Sequence, residues 1–391
     1  MRSSPRRLPG RSHDPRAPKV PLALLLVAAC AAPAASSRGG AAPARPEVQF
    51  QEGSTLEVSR LDLELAGKND EELFAIATAA FAAGDYPRAA AAFGRVADLH
   101  PASGRHAASL FNAGLAEERL GDWREARRRF ADFEKGYAGP DADEAAFHAA
   151  SALWHLEEFR DAAAILERLG RRGDLSDANR IRAFTELGVV DLDLADLEAA
   201  ETALRRAVSL WTEASDRERL DPYHPAQAHY YLGEVARRRF RAAPLDPARS
   251  GEAALQGELE RKAELLLAAQ GYYLRAIRVG SPDWAVAAGY RIGELYDELH
   301  AEMLGAPLPP GLTEEERQAY RDELRRKLRV LLTKAIAVYE QTLDAARQGG
   351  VDNRFVAEAE GALERMRRSL LDTDALPGGS EAAAAPAPAG R

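Results

Sequence analysis

Among its 391 residues the chain has a single cysteine, Cys30, which excludes an internal disulfide and any cysteine-rich metal site. It also lacks the roughly 20 consecutive apolar residues that a membrane-spanning helix needs. Its apolar run from Val20 to Ala29 is only about half that length. A glycine-rich phosphate loop, a paired-histidine zinc motif and a serine in a nucleophile elbow are all missing. His148 and His155, seven residues apart beside Trp154, read as ordinary polar or packing histidines. No acidic pair stands out as a general acid and base. Neither an enzyme nor a bound metal or cofactor is therefore expected. Outside the first residues positive charge is outnumbered by negative. Arg2, Arg6, Arg7, Arg11, Arg16 and Lys19 against Asp14 give +5, so a formal net charge of −9 leaves −14 on the rest of the chain. Such a surface repels phosphate backbones, which argues against nucleic acid as a partner.

The ends differ from the middle. Residues 31–66, rich at first in Ala, Pro, Ser and Gly, and residues 373–391, ending PGGSEAAAAPAPAGR, hold too few large apolar side chains to offset the entropy of ordering. Before them, a basic stretch ending at Lys19 and the short apolar run close on Val27-Ala28-Ala29-Cys30. This ending resembles the lipobox of bacterial lipoproteins. The resemblance implies a signal peptide over 1–29, a diacylglyceryl group on the Cys30 sulfur, and a lipid-anchored tether over 30–66. Two or three acyl chains, at about 0.8 kcal/mol per buried CH2, make a stable anchor. Ala31 after the cysteine implies the outer membrane, periplasmic face, as destination. A cleaved secretory signal with an incidental cysteine is the alternative.

The remaining stretch, 67–372, is rich in Ala, Leu, Arg and Glu, the composition of an all-helical protein. It repeats. Gly84-Asp85-Tyr86, Gly121-Asp122-Trp123, Glu157-Glu158-Phe159 and Ala195-Asp196-Leu197 each sit between two helical patterns. The alanines that follow, Ala89, Ala126, Ala162 and Ala200, lie 37, 36 and 38 residues apart. The pattern resembles the tetratricopeptide repeat, in which small residues such as Gly114 and Gly188 stand where the two helices of a hairpin touch. Two further units are stretched. The step from Gly188 to Ala200 is 12, but from Gly233 to Ala269 it is 36 and from Gly293 to Ala335 it is 42. After the break at Pro307, Pro309, Pro310 and Gly311, Thr313 to Glu316 form a capping box that opens a helix over about 313–347. Leu324, Leu328, Leu331, Ala335 and Tyr339 are its expected core stripe. Asp322/Arg326 and Glu323/Lys327 are expected i,i+4 pairs. A last helix, about 352–372, should cover the final hairpin. The expected fold is thus all-α: a right-handed tetratricopeptide-type α-solenoid of about six hairpins, the last two elongated, with a C-terminal capping helix and a disordered tail over 373–391.

In that repeat family the first helix of each hairpin lines a groove. The matching positions here are Phe74, Thr78, Phe81, Phe111, Asn112, Arg119, Phe147, His148, Trp154 and His155. The later units add Arg182, Glu186, Tyr230, Arg237 and Arg291. Aromatics in a groove with arginines at its rim are usual anchors of protein recognition; the same aromatics could instead pack between hairpins. The carboxylate clamp of heat-shock co-chaperones is not matched beyond Asn112. Lipobox and repeats together resemble the repeat lipoproteins of Gram-negative envelopes: barrel-assembly lipoproteins, pilotins and gliding-motility components. They imply a scaffold binding other envelope proteins, oligomeric state open. The alternative is a lipoprotein that holds a small solute or cell-wall fragment in the groove.

Overall fold

In the computed structural model, residues 61, 63–245, 252–308 and 311–376 are described. The expected signal peptide, Cys30, the expected tether up to residue 60 and the tail from 377 lie outside them. Every regular element among the described residues is a helix, and none of these helices is long and apolar enough to cross a membrane. The chain forms two compact units, Met1–Glu158 and Phe159–Arg391. The first contains α1 (Asp70–Ala83), α2 (Tyr86–Leu99), α3 (His106–Leu120), α4 (Trp123–Gly136) and α5 (Pro140–His155). The second contains α6 (Phe159–Arg171), α7 (Asp177–Asp193), α8 (Leu197–Glu213), a 3-10 turn (Arg217–Arg219), α9 (Tyr223–Ala242), α10 (Glu252–Val279), α11 (Pro282–Gly305), α12 (Glu314–Gly349) and α13 (Arg354–Asp374). The third repeat thus has its two helices in different units.

Two-residue turns build the short hairpins. Gly84, Gly121, Glu157 and Ala195 all take the left-handed conformation, at φ 78°, 76°, 63° and 61°. The next residue's N–H then reaches back into the preceding helix. Asp85 donates to the Ala80 carbonyl (2.9 Å), Asp122 to Glu117 (3.0 Å), Glu158 to Leu153 (2.9 Å) and Asp196 to Asp191 (2.9 Å). The same aspartates cap the next helix. The side chains of Asp85, Asp122 and Asp196 accept from the N–H groups of Arg88, Glu125 and Ala199 at 3.3, 3.1 and 2.9 Å. One dipeptide thereby satisfies both helix ends.

The small residues do what their spacing requires. Ala89, Ala126, Ala162, Ala200, Ala269 and Ala335 have no exposed surface. A Cβ placed on Gly114 would sit 2.7 Å from the Phe130 ring, and Gly188, Gly233 and Gly293 stand likewise against Leu204, Tyr273 and Tyr339. The stretched fifth and sixth repeats therefore keep the helix contact of the short ones. Their surplus goes into length: α10 has 28 residues and α12 has 36, about 54 Å of helix. Lys262 ties the extensions together from a fully buried position. Its Nζ donates to the Phe240 carbonyl at the end of α9 (3.0 Å) and to Glu302 of α11 (2.7 Å), over the Phe240 ring.

Four expectations need correction. The fold begins before residue 67: Leu61 and 63–65 are helical, and Leu65 is buried beside Leu73 and Ala77 in the first unit's core. The pattern Leu61-Asp62-Leu63-Glu64-Leu65 is too short to show a helical period, so only its leucines hinted at burial. On α12 the buried stripe is Leu328, Leu332, Ala335, Tyr339, Leu343 and Ala346, with Leu324 and Leu331 only partly buried. Asp322 pairs with Arg325 at 3.0 Å, while Glu323 engages Arg326 and Lys327. The final helix runs to Asp374, which holds Arg329 through two bonds of 2.6 and 3.1 Å. The capping box of Thr313 and Glu316 forms as expected.

Candidate partner-binding faces

In the first unit the groove positions divide by burial. Phe147 is completely buried, Asn112 is buried, and Phe111 packs edge-on against Phe130, Phe133 and His148 at 5.5, 5.6 and 5.7 Å between ring centres. These rings pack the hairpins together, correcting the expectation that they face a partner. His148 lies flat on Phe130 (4.8 Å), with Nδ1 2.9 Å from buried Glu118 and Nε2 3.6 Å from Glu144. It is a locked polar packing residue. Asn112 Oδ1 and Ser109 Oγ, one turn apart on α3, are buried with no hydrogen-bond partner among the described residues. Phe74 and Phe81 are half-buried, edge-on to Phe93 and Tyr86 at 5.5 and 5.4 Å. Thr78 is half-buried too, and its hydroxyl donates to the Phe74 carbonyl at 2.8 Å.

In the first unit a partly exposed aromatic cluster gathers where α4 begins and α5 ends. Trp123 and His155 stack at 3.7 Å with 7° between their planes, and Trp154 meets His155 edge-on at 4.9 Å. All three are half-buried, as is Arg119, and Arg127 and Glu158 stand nearby, 3.8 Å apart. Trp123 was overlooked as a site residue because it belongs to the turn motif rather than to a first helix. Its place directly after Asp122 was the available signal.

The second unit uses its groove charges internally. On α7, Arg182 bonds Glu186 at 3.0 Å one turn on. Between α9 and α11, Arg237 is buried against Glu294 (2.9 Å), Glu234 (3.6 Å) and Glu298. Arg291 reaches Glu234 (3.1 Å), Glu294 and the Tyr230 hydroxyl (3.0 Å), and Arg241 completes the set on Glu298. Tyr273 donates to Glu234 at 2.6 Å. Burial, then the neighbouring Glu234 or Glu294, pushes the phenols of Tyr230, Tyr273 and Tyr290 far above their ordinary range, so they stay neutral, Tyr273 donating to Glu234 and Tyr230 accepting from Arg291. Three guanidinium groups and three carboxylates balance in this cluster. Arg237, Arg291 and Tyr230 are therefore clamps between hairpins, not rim contacts for a partner. Position on a helix marks the face; it does not say whether the next hairpin covers it.

Within each unit, two-helix hairpins with small residues at the crossing form a helical-repeat fold. The tetratricopeptide-repeat family model matches residues 73–103 and 108–139, the first two hairpins. Solved structures with a similar fold include a tetratricopeptide repeat protein from Parabacteroides merdae. It is 15% identical, with 76% of this chain and 98% of that chain covered and a TM-score of 0.35. The apo form of RapI is 10% identical, covering 78% and 99%, with a TM-score of 0.40. A repeat protein from Bacteroides fragilis is 18% identical, covering 60% and 98%, with a TM-score of 0.30. The likeness is one of fold. No curated protein sequence matches the chain.

Proposed function

We propose that this protein is a non-catalytic scaffold of the cell envelope, tethered by lipid on Cys30 at the periplasmic face of the outer membrane, that holds other envelope proteins. The observation that carries the protein-binding part is the half-buried cluster of Trp123, Trp154 and His155. Rigid stacked rings at a surface offer large contact area with little side-chain entropy left to lose, the property of interface anchors. The small-solute reading is weaker, because it calls on an aromatic and histidine-bearing groove over 74–155, where Phe111 and Phe147 are buried and His148 is held between Glu118 and Glu144.

Two measurements test the proposal. Trp154→Ala should lower recovery of cross-linked envelope partners, about thirtyfold in affinity for a loss of about 2 kcal/mol, while circular dichroism keeps its helical signal. A lower melting point with full partner recovery would move the binding site elsewhere. Cys30→Ser should abolish incorporation of labelled fatty acid, since the hydroxyl cannot replace the thiolate. Undiminished label would refute the anchor and leave the binding reading standing.

A further inference from the structure

The second unit carries an apolar stripe that is exposed over most of its length and packs in part against the unit's own core at Ile277. Along α10 the core side is Lys262, Leu265, Leu266, Ala269, Tyr273 and Ala276, all buried. One residue beyond two of these, and therefore turned about 100° round the helix, lie Leu267 and Leu274. They are 62% and 39% exposed, and Leu259, two turns earlier, is 37% exposed. Ala263 is exposed and Ile277 half-buried on the same flank. At 3.6 residues per turn, positions 259, 263, 267, 270, 274 and 277 form one continuous strip, interrupted only by Gln270.

Charge along one edge of this strip is ordered by sign. Glu260 and Glu264 lie toward the N-terminal end, Arg275 and Arg278 toward the C-terminal end. When two copies of a helix pack antiparallel about a two-fold axis, like edges meet and each residue faces one an equal distance beyond the midpoint. Here every complementary pair shares a midpoint within residues 268–270. Leu259 falls opposite Ile277, Ala263 opposite Leu274, Glu260 opposite Arg278 and Glu264 opposite Arg275. A parallel copy would set this charged edge against the opposite flank of the strip, away from its complement. The present contacts of these charges are local ones that a partner could replace: Gln256 to Glu260 at 2.8 Å, Arg261 to Glu264 at 3.2 Å, and Arg275 over the Tyr272 ring.

From this self-complementarity we infer that the exposed strip of α10 is a docking surface for a second copy of this chain, packed antiparallel with Leu267 beside the two-fold axis. The inference is independent of what the Trp154 cluster binds.

Sedimentation velocity on the full-length chain carrying Cys30→Ser, in mild detergent so that no acyl group contributes, tests it. Mass should shift toward twice the monomer as concentration rises. Leu267→Glu should weaken that association at least tenfold with an unchanged melting curve, because the side chain is largely exposed. The decisive pair is charge reversal. A chain with Glu260→Arg and Glu264→Arg, and another with Arg275→Glu and Arg278→Glu, should each remain monomeric alone. Mixed, they should form a one-to-one heterodimer. A parent chain that stays monomeric at every soluble concentration, a dimer indifferent to Leu267→Glu, or reversed chains that fail to combine would each overturn the inference. So would recovery of a different protein on this strip from a parent chain that is monomeric.

Discussion

The ring of Tyr273 occupies the space a side chain at Gly233 would need, and this contact between α9 and α10 survives 24 extra residues between the two helices. It sets the crossing of the fifth hairpin. Tyr273 cannot retreat, because it is fully buried and its hydroxyl is bonded to Glu234. Gly233→Ala should therefore lower stability by about 1–3 kcal/mol through overpacking. Gly257, also in α10 but with open space around it, supplies the contrast. Gly257→Ala should leave stability unchanged or raise it by about 0.5–1 kcal/mol. Chemical denaturation of both variants reads the difference, and equal losses would show that the close approach does not constrain the hairpin.

Ala195 holds φ at 61° in the turn where Gly84 and Gly121 serve in the earlier repeats. An L side chain in that conformation costs about 1–2 kcal/mol, while glycine's extra freedom in the unfolded chain returns part of it. Ala195→Gly should thus stabilise by roughly 0.5–1 kcal/mol, and Gly121→Ala should destabilise by a similar amount. Opposite shifts in melting temperature are expected. Shifts of the same sign would mean that the turn does not carry this strain.

Asp191 and Glu117 occupy the same place in two repeats, each lending its backbone carbonyl to the aspartate of the following turn. Burial, followed by the nearby turn aspartate, pushes Asp191 up to about 6 and Glu117 to about 7. A carboxyl raised on folding binds its proton more tightly in the folded than in the unfolded chain. Its contribution is complete below the unfolded value and is lost as pH rises through the folded one. Asp191→Asn, which cannot ionise, should raise stability by about 1–3 kcal/mol at pH 8. That advantage should fade below about pH 4. Melting temperatures of parent and variant across this range check the sign; an advantage that grows on acidification would refute it.

Periodicity made most of the architecture legible. Alanine spacing located the hairpins, the Gly233 and Gly293 steps revealed two stretched units, and Thr313 marked the start of α12 correctly. Tertiary coverage was not legible. Phe147 and Tyr230 stand at groove positions and are nonetheless buried, because closure depends on how neighbouring hairpins meet rather than on one helix's spacing. On α12, Leu331 and Leu332 lie about 40° and 60° to either side of Ala335, so spacing alone did not decide which of them faces the core. Lys262 gave no signal at all. A lysine on a helix reads as solvated, and only the convergence of the Phe240 carbonyl and Glu302 makes burial of its charge tolerable.

The clamp around Arg237 makes the strongest demand on this reading of the second unit. Its guanidinium is buried among Glu234, Glu294 and Glu298, with Arg241 and Arg291 as the remaining positive groups. Removing it leaves three largely buried carboxylates to share two arginines, of which Arg241 is itself half exposed. A buried ion pair broken from one side typically costs about 3–5 kcal/mol. Arg237→Met, which keeps the apolar stem's volume, should fall in that range. Adding Glu298→Gln should recover part of the loss, since it removes the charge left without its partner, giving a positive coupling in a double-mutant cycle. A rim arginine would behave otherwise: Arg237→Met would leave the melting point within about 0.5 kcal/mol of the parent and reduce partner recovery. The clamp predicts the reverse, a large loss of stability with partner recovery intact at temperatures where the variant remains folded.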